Sequence, residues 1–156
     1  MNTGDLLARE LIRDLVARYN SLGDRGLSAE VADLFDEHGV LEIADASGTR
    51  SVRGRSSIQA LLEEIKSSWR EETGPDRPSY VRHIVGTHVI DLLTAESARG
   101  IAYVLVLRPE GLVAWGRYFD DYRQISGRWV FAGRRAVADT PSAARAVLDS
   151  RESRGQ

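Results

Sequence analysis

The 156-residue chain contains no cysteine. That excludes a disulfide framework, a thiolate metal site and a cysteine nucleophile. It has no excess of either charge: 21 basic and 23 acidic residues are interspersed along it, for a net charge of −2. Such a surface carries no electrostatic footprint for nucleic acid. No run approaches the roughly 18 apolar residues of a membrane span. The opening "MNTGDLLARELIRDL" carries charges inside its apolar pattern and does not read as a signal peptide. There is no internal repeat and no low-complexity tract. The expectation is a cytoplasmic protein that binds neither nucleic acid nor membrane, long enough to bury a core without staples.

What is present is a change of hydrophobic period. Leu7, Leu11, Leu15 and Tyr19 recur every four residues, with Ile12 and Val16 beside them, and predict a helix capped by Thr3. The glycines of "LGDRG" end it. A short helix is expected from Ser28 to Phe35, then a strand over "GVLEIA" (Gly39 to Ala44) with "DASGT" as its turn. "GRSSIQALLEEIKSSW" is the clearest helix: Ser56 and Gln59 have capping-box spacing, and Ile58, Leu61, Leu62, Ile65 and Trp69 share a face. "EETGPDRP" breaks it as a surface loop, a candidate lid.

From Ser79 the period becomes two. Strands are predicted over Tyr80–Leu93, Ser97–Arg108, Leu112–Ile125 and Arg128–Ala138, joined by short turns as an antiparallel meander. Helices followed by a bent sheet make an α+β layout, and a sheet curled around a helix leaves a conical hollow suited to a small molecule. Residues 1–140 read as one domain. Residues 141–156 read as a tail, with a short helix over "SAARAVLDS" and a disordered end.

The stretch "VRHIVGTHVIDLL" (Val81 to Leu93) raises a question of parity. In a regular strand His83 and His88, five apart, face opposite ways. Val81, Val85 and Val89 would then line one face with His83, and Ile84, Ile90 and Leu92 the other. Both faces look apolar, so both are expected to be covered: one by helices, the other by a second copy in a symmetric homodimer. His88 is expected on the outer face, and Arg135 is expected to face away from the hollow. "DEH" at Asp36 to His38 is expected to be a helix end and not a metal fragment, and His38, His83 and His88 lack a ligand spacing. Trp115 and Trp129 are expected to be packing residues.

Four stretches, "IRDLVARYNSLGDRG", "VRGRSSIQALLEEI", "RHIVGTHVIDL" and "GRYFDDYRQISGRWVFAGRRAV", together resemble the NTF2-like superfamily, specifically its SnoaL-like branch, over about residues 5 to 138. The resemblance implies an NTF2-like cone, with N-terminal helices packed on a strongly curved antiparallel sheet. Such folds host many reactions and also non-catalytic modules, so fold does not settle function.

A local similarity goes further. Two lyases of the superfamily, a hexachlorocyclohexane dehydrochlorinase and a bile-acid 7α-dehydratase, use an Asp–His pair at the end of the first helix and the start of the first long strand. Asp24 and His83 occupy those places. Tyr19 matches a tyrosine of the dehydratase, and Arg134 matches an arginine of the dehydrochlorinase. The likeness also places Val104, Val106 and Tyr118 on the cavity wall, and Val81, in the row of His83, is expected to join them. Departures are the lack of an acid among Ala102, Val104 and Val106, and the lack of an epoxide-hydrolase Asp-Arg-Asp set.

The resemblance implies a cofactor-independent, dehydratase-like lyase acting on a hydrophobic cyclic or polyketide-like molecule, with no metal required. His83 would be the base, Asp24 its orienting group, and Tyr19 and Arg134 the donors to a leaving or enolate oxygen. An isomerase or cyclase using the same dyad, and a binding module without chemistry, are the alternatives. Each residue also has a plainer reading: His83 as a core histidine, Asp24 as a turn residue, Tyr19 as core, Arg134 as the mate of an acidic neighbour on the sheet.

Overall fold

The computed structural model describes residues 2–73 and 80–140. Three helices, α1 (Thr3–Asp24), α2 (Ser28–Ala32) and α3 (Arg55–Thr73), accompany six strands. The strands are β1 (Phe35–Asp45), β2 (Gly48–Arg53), β3 (Arg82–Leu92), β4 (Ser97–Arg108), β5 (Gly111–Ile125) and β6 (Arg128–Ala138). Their order in the sheet is β2-β1-β6-β5-β4-β3. All neighbours are antiparallel except β1 and β6, which run parallel. Bulges in four of the five ladders bend the sheet, which curves without closing. The α+β cone expected from the sequence is therefore the fold.

The helices fill the concave face. Ile12, Leu15 and Val16 of α1, Val31 of α2 and Ile58 and Leu61 of α3 pack against Phe35, Leu41, Ile90, Tyr122, Trp129 and Phe131 of the sheet. Each fully buried aliphatic side chain here contributes about 1.5–3 kcal/mol.

Several local expectations are corrected. The N-cap of α1 is Asn2, in a reciprocal capping box with Asp5. Leu7 and Leu11 are exposed, so the buried stripe begins one turn later, at Ile12. Helix α3 starts at Arg55, which puts Ser56 inside it and not at its cap. Helix α2 stops at Ala32 because Phe35 is taken by the parallel ladder, opposite Phe131, and "DEH" lies in β1 and not at a helix end. Strand β2 was hidden in the sequence: it is an edge strand with only Val52 turned inward, so it shows no apolar row. Trp129 is core, whereas Trp115 is exposed. The candidate lid falls largely, and the tail entirely, outside the described residues.

The largest correction concerns β3. His83 pairs with Val106 and Gly86 with Tyr103, but His88 pairs with Ala102, so Thr87 is an extra residue in the ladder. Its φ of 46° confirms the kink. One inserted residue shifts parity by one. His88, Ile90 and Leu92 therefore join Val81, His83 and Val85 on the concave side, and Val89 turns outward with Ile84.

Candidate active site

Helix α1 ends in a Schellman closure: the Leu27 N–H donates to the Leu22 carbonyl, and the Gly26 N–H to that of Gly23. Gly26 supplies the left-handed residue this requires, with φ of 69°. Asp24 thereby sits in the last turn and points toward the start of β3. Lys66 of α3 fixes the same turn, its Nζ donating to the Gly26 carbonyl at 2.8 Å. A Cβ on residue 26 would lie 2.9 Å from Lys66 Cε, so the two are closely fitted.

Asp24 holds His83 twice. Its Oδ1 lies 2.6 Å from His83 Nδ1, and its Oδ2 accepts from the His83 backbone N–H at 3.1 Å. The side chains of His83 and Asp24 are 20% and 10% exposed, so the pair is shielded but reachable. With an ionised carboxylate against Nδ1, a neutral ring carries its proton on Nδ1 and leaves the Nε2 lone pair available.

Asp24 and His83 lie in the wall of a cavity of about 200 Å³ between the end of α1, helices α2 and α3, and the adjoining ends of β3 and β4. Sites for drug-sized ligands run to ~300–1,000 Å³, so this space suits a smaller molecule. Tyr19, Leu62, Ile65 and Val81 give it an apolar interior. Lys66, Trp69, Tyr80 and Arg108 also line it.

Of the eight expected site residues, the structure gathers Tyr19, Asp24, Val81 and His83 around this cavity. Val104, Val106, Tyr118 and Arg134 are not in its wall. Val104 and Tyr118 are buried with Ala102 in a neighbouring apolar cluster. Val106 stands across the ladder from His83. Arg134 is walled off: its guanidinium carbon lies 4.2 Å from the Tyr19 ring centroid, 4.0 Å from that of Tyr118 and 4.3 Å from that of Phe131. The rings have filled the inner cone.

Arg134 gives two hydrogen bonds to Asp120, at 2.8 and 2.7 Å, with both side chains fully buried. Its plainer reading, as mate of an acidic neighbour, is therefore the geometry observed. Tyr122 donates to Asp120 at 2.7 Å, and His88 Nε2 lies 3.2 Å from the Tyr122 hydroxyl. Tyr118 donates to Asn20 at 3.0 Å. Burial raises the pKa of Tyr19, Tyr118 and Tyr122 above the ordinary phenol value, although the Arg134 charge opposes it. All three remain protonated donors at neutral pH. Burial lowers the pKa of His88, with the Asp120 charge opposing, and keeps it neutral.

Asn20, Asp120, Lys66, Trp69, Tyr80 and Arg108 were not expected. A signal for Asp120 existed: in "YFDDY" it shares the inward parity of Tyr118 and Tyr122. Arg135 faces away and pairs with Glu42 at 2.6 Å. Among the described residues, no group of three or more histidine and acidic side chains could hold a metal ion.

A family model for the SnoaL-like domain matches residues 4–135. The chain belongs to the SnoaL-like family. Its fold is shared with a candidate scytalone dehydratase from Novosphingobium aromaticivorans, 22% identical over 90% of this chain and 89% of that one, with a TM-score of 0.72. LinA is 20% identical over 88% of this SnoaL-like chain and 89% of its own, with a TM-score of 0.69. An NTF2-like protein with a cystatin-like fold, also from N. aromaticivorans, is 26% identical over 92% and 90%, with a TM-score of 0.69. No curated protein matches the chain in sequence. Among the described residues, no helix is long and apolar enough to cross a membrane.

Proposed function

We propose that the protein is a lyase of the dehydratase kind, acting without a cofactor on a small hydrophobic cyclic or polyketide-like molecule. The observation that carries this reading is the 2.6 Å contact between Asp24 and His83 in the wall of a largely apolar cavity. A carbon acid next to a carbonyl needs a base that titrates near neutrality, and imidazole does so. His83 Nε2 takes the Cα proton, and the released electron pair passes to the carbonyl oxygen as an enolate. That pair then forms the Cα=Cβ bond as the Cβ–O bond breaks. The hydroxyl leaves as water with the proton returned by the imidazolium. Asp24 stabilises the imidazolium between these steps, the orienting role a carboxylate has in hydrolase triads. Tyr19, held protonated by burial, serves as hydrogen-bond donor to the oxygen that gains charge. Arg134 acts from behind the tyrosine rings and touches no substrate. Isomerisation or cyclisation would use the same base and enolate, without loss of a group.

The test is turnover of a panel of cyclic and polyketide-like β-hydroxy ketones, followed by mass spectrometry for loss of water. Dehydration by the wild type should fall about 10²–10⁴-fold in His83→Gln and in Asp24→Asn, with the fold intact by circular dichroism. Full activity in either variant contradicts the mechanism.

We also propose that a second copy of the chain covers the outer sheet face. Ile84, Val89, Ile101, Tyr103, Leu105 and Trp115 are all exposed there. Ile84 and Trp115 both pair with Leu105, and Val89 pairs with Ile101, so they adjoin one another. An apolar patch of this kind marks an interaction surface. Sedimentation equilibrium should show a dimer that Leu105→Lys weakens; a monomeric wild type contradicts this.

A further inference from the structure

Two neutral polar side chains stand in the cavity wall with hydrogen-bonding capacity that the protein leaves unused. Ser28, the first residue of α2, is 5% exposed and lines the cavity. It does not cap the helix, since the N-cap position is Leu27, and among the described residues its hydroxyl has no hydrogen-bond partner. The side-chain polar atoms that are both sealed and unpartnered there belong to Arg9, Trp129 and Arg134, so the Ser28 hydroxyl is reachable.

Asn20 lies one turn before Asp24 on α1, is 6% exposed and lines the same cavity. Its Oδ1 accepts from the Tyr118 hydroxyl at 3.0 Å, and its Nδ2 donates to the Val16 carbonyl at 2.9 Å. These contacts fix the amide and leave one of its two N–H groups unspent. Around the two polar groups the wall is apolar, with Val31, Leu62, Ile65 and Val81.

A polar group shut away from water without a partner costs free energy. A purely apolar ligand would impose that cost on both groups, whereas an oxygen placed beside them would pair them. Asn20 and Ser28 carry no charge, and the Asp24 carboxylate one turn along α1 disfavours an anion nearby. The amide N–H donates and the serine hydroxyl donates or accepts, so the matching group is an uncharged hydroxyl or keto oxygen.

We propose that Asn20 and Ser28 are specificity-determining residues that hydrogen-bond an uncharged hydroxyl or keto oxygen of the substrate. This deepens the lyase reading and rests on it for the role of His83. The oxygen held here takes no part in bond breaking. It sets which way round the apolar body lies, so that the carbon to be deprotonated meets Nε2.

The experiment is ligand-observed NMR titration with three probes of one skeleton: indane, 2-indanol and 2-indanone. The wild type should bind at least one oxygenated probe about 5–20-fold more tightly than indane, the gain of one to two net hydrogen bonds. The tighter of the two shows whether the group read is hydroxyl or keto. The gain should shrink about threefold in Ser28→Ala and in Asn20→Leu/Tyr118→Phe, which removes the amide together with the hydroxyl that donates to it. His83→Gln should keep the gain. Ser28→Ala should also melt no lower than the wild type, because its hydroxyl has no partner in the fold to lose. Oxygenated probes no tighter than indane, or not bound at millimolar concentration, overturn the proposal. So does a gain that either variant leaves unchanged or that His83→Gln removes, and so does a lower melting temperature in Ser28→Ala, which would give the hydroxyl a structural role. A gain that depends on Ser28, with no dehydration in the turnover assay, would sink the lyase reading alone. Dehydration without the gain would sink this subsite alone.

Discussion

Arg134 on β6 stands opposite Asp120 on β5 in the ladder and donates two hydrogen bonds to its carboxylate, with neither side chain exposed. The pair anchors a set of groups that reaches Tyr122 and His88 on one side and the Tyr19 and Tyr118 rings on the other. Removing one member leaves an uncompensated buried charge, which costs more than the pair gains when intact. Asp120→Ala should therefore lower the unfolding free energy by about 3–5 kcal/mol in urea titration. The double variant Asp120→Leu/Arg134→Met should lose less than the sum of the two single changes. Additivity would contradict the coupling.

Thr87 is a β-branched residue at φ of 46°. Its backbone conformation is one that glycine adopts freely and a β-branched side chain does not. Thr87→Gly should raise stability by about 1 kcal/mol, relief of that strain exceeding the entropy glycine costs. The inward placement of His88 should survive, because the bulge is kept. A loss of stability by thermal melting would contradict this.

The buried titratable groups set the pH limits of the fold. Burial holds the His88 pKa below its ordinary value of about 6.5, so below that pH the unfolded chain takes up a proton that the folded one resists. Stability should fall as the pH drops from about 6.5 toward the lower folded value, and His88→Phe should flatten this slope. At the alkaline end the sign reverses. Tyr19, Tyr118 and Tyr122 keep their protons in the fold, whereas unfolded tyrosines ionise near pH ~10, so stability falls as the pH rises through that value. In spectrophotometric titration, three of the five tyrosines should not ionise until the protein unfolds. Early ionisation of all five would contradict the burial.

The helices, the meander and the SnoaL-like character were legible because each rests on a local period or a run of residues. Tyr19, Asp24 and His83 were legible as cavity residues because the resemblance ties them to the ends of α1 and β3, and Val81 because it shares the parity of His83. The failures share a cause: they depend on which strands meet. A one-residue bulge leaves no mark in "VGTHV", yet it turned His88 inward. Strand β2 carries too few apolar residues to show alternation. Arg134 has the inward parity expected of it, but only the pairing of β5 with β6 reveals Asp120 opposite it and the rings in front of it. Lys66 and Trp69 lie on α3 and Arg108 ends β4, so no single stretch announces the three together.

The central claim is that Asp24 sets His83 up as a base, and its direct test needs no substrate. Nitrogen-15 NMR of the imidazole side chains, at a pH where the His83 ring is neutral, reports which nitrogen carries the proton. His83 should show a protonated Nδ1 and a bare Nε2, a bias that Asp24→Asn should weaken. The opposite tautomer in the wild type, with the proton on Nε2, would contradict the claim.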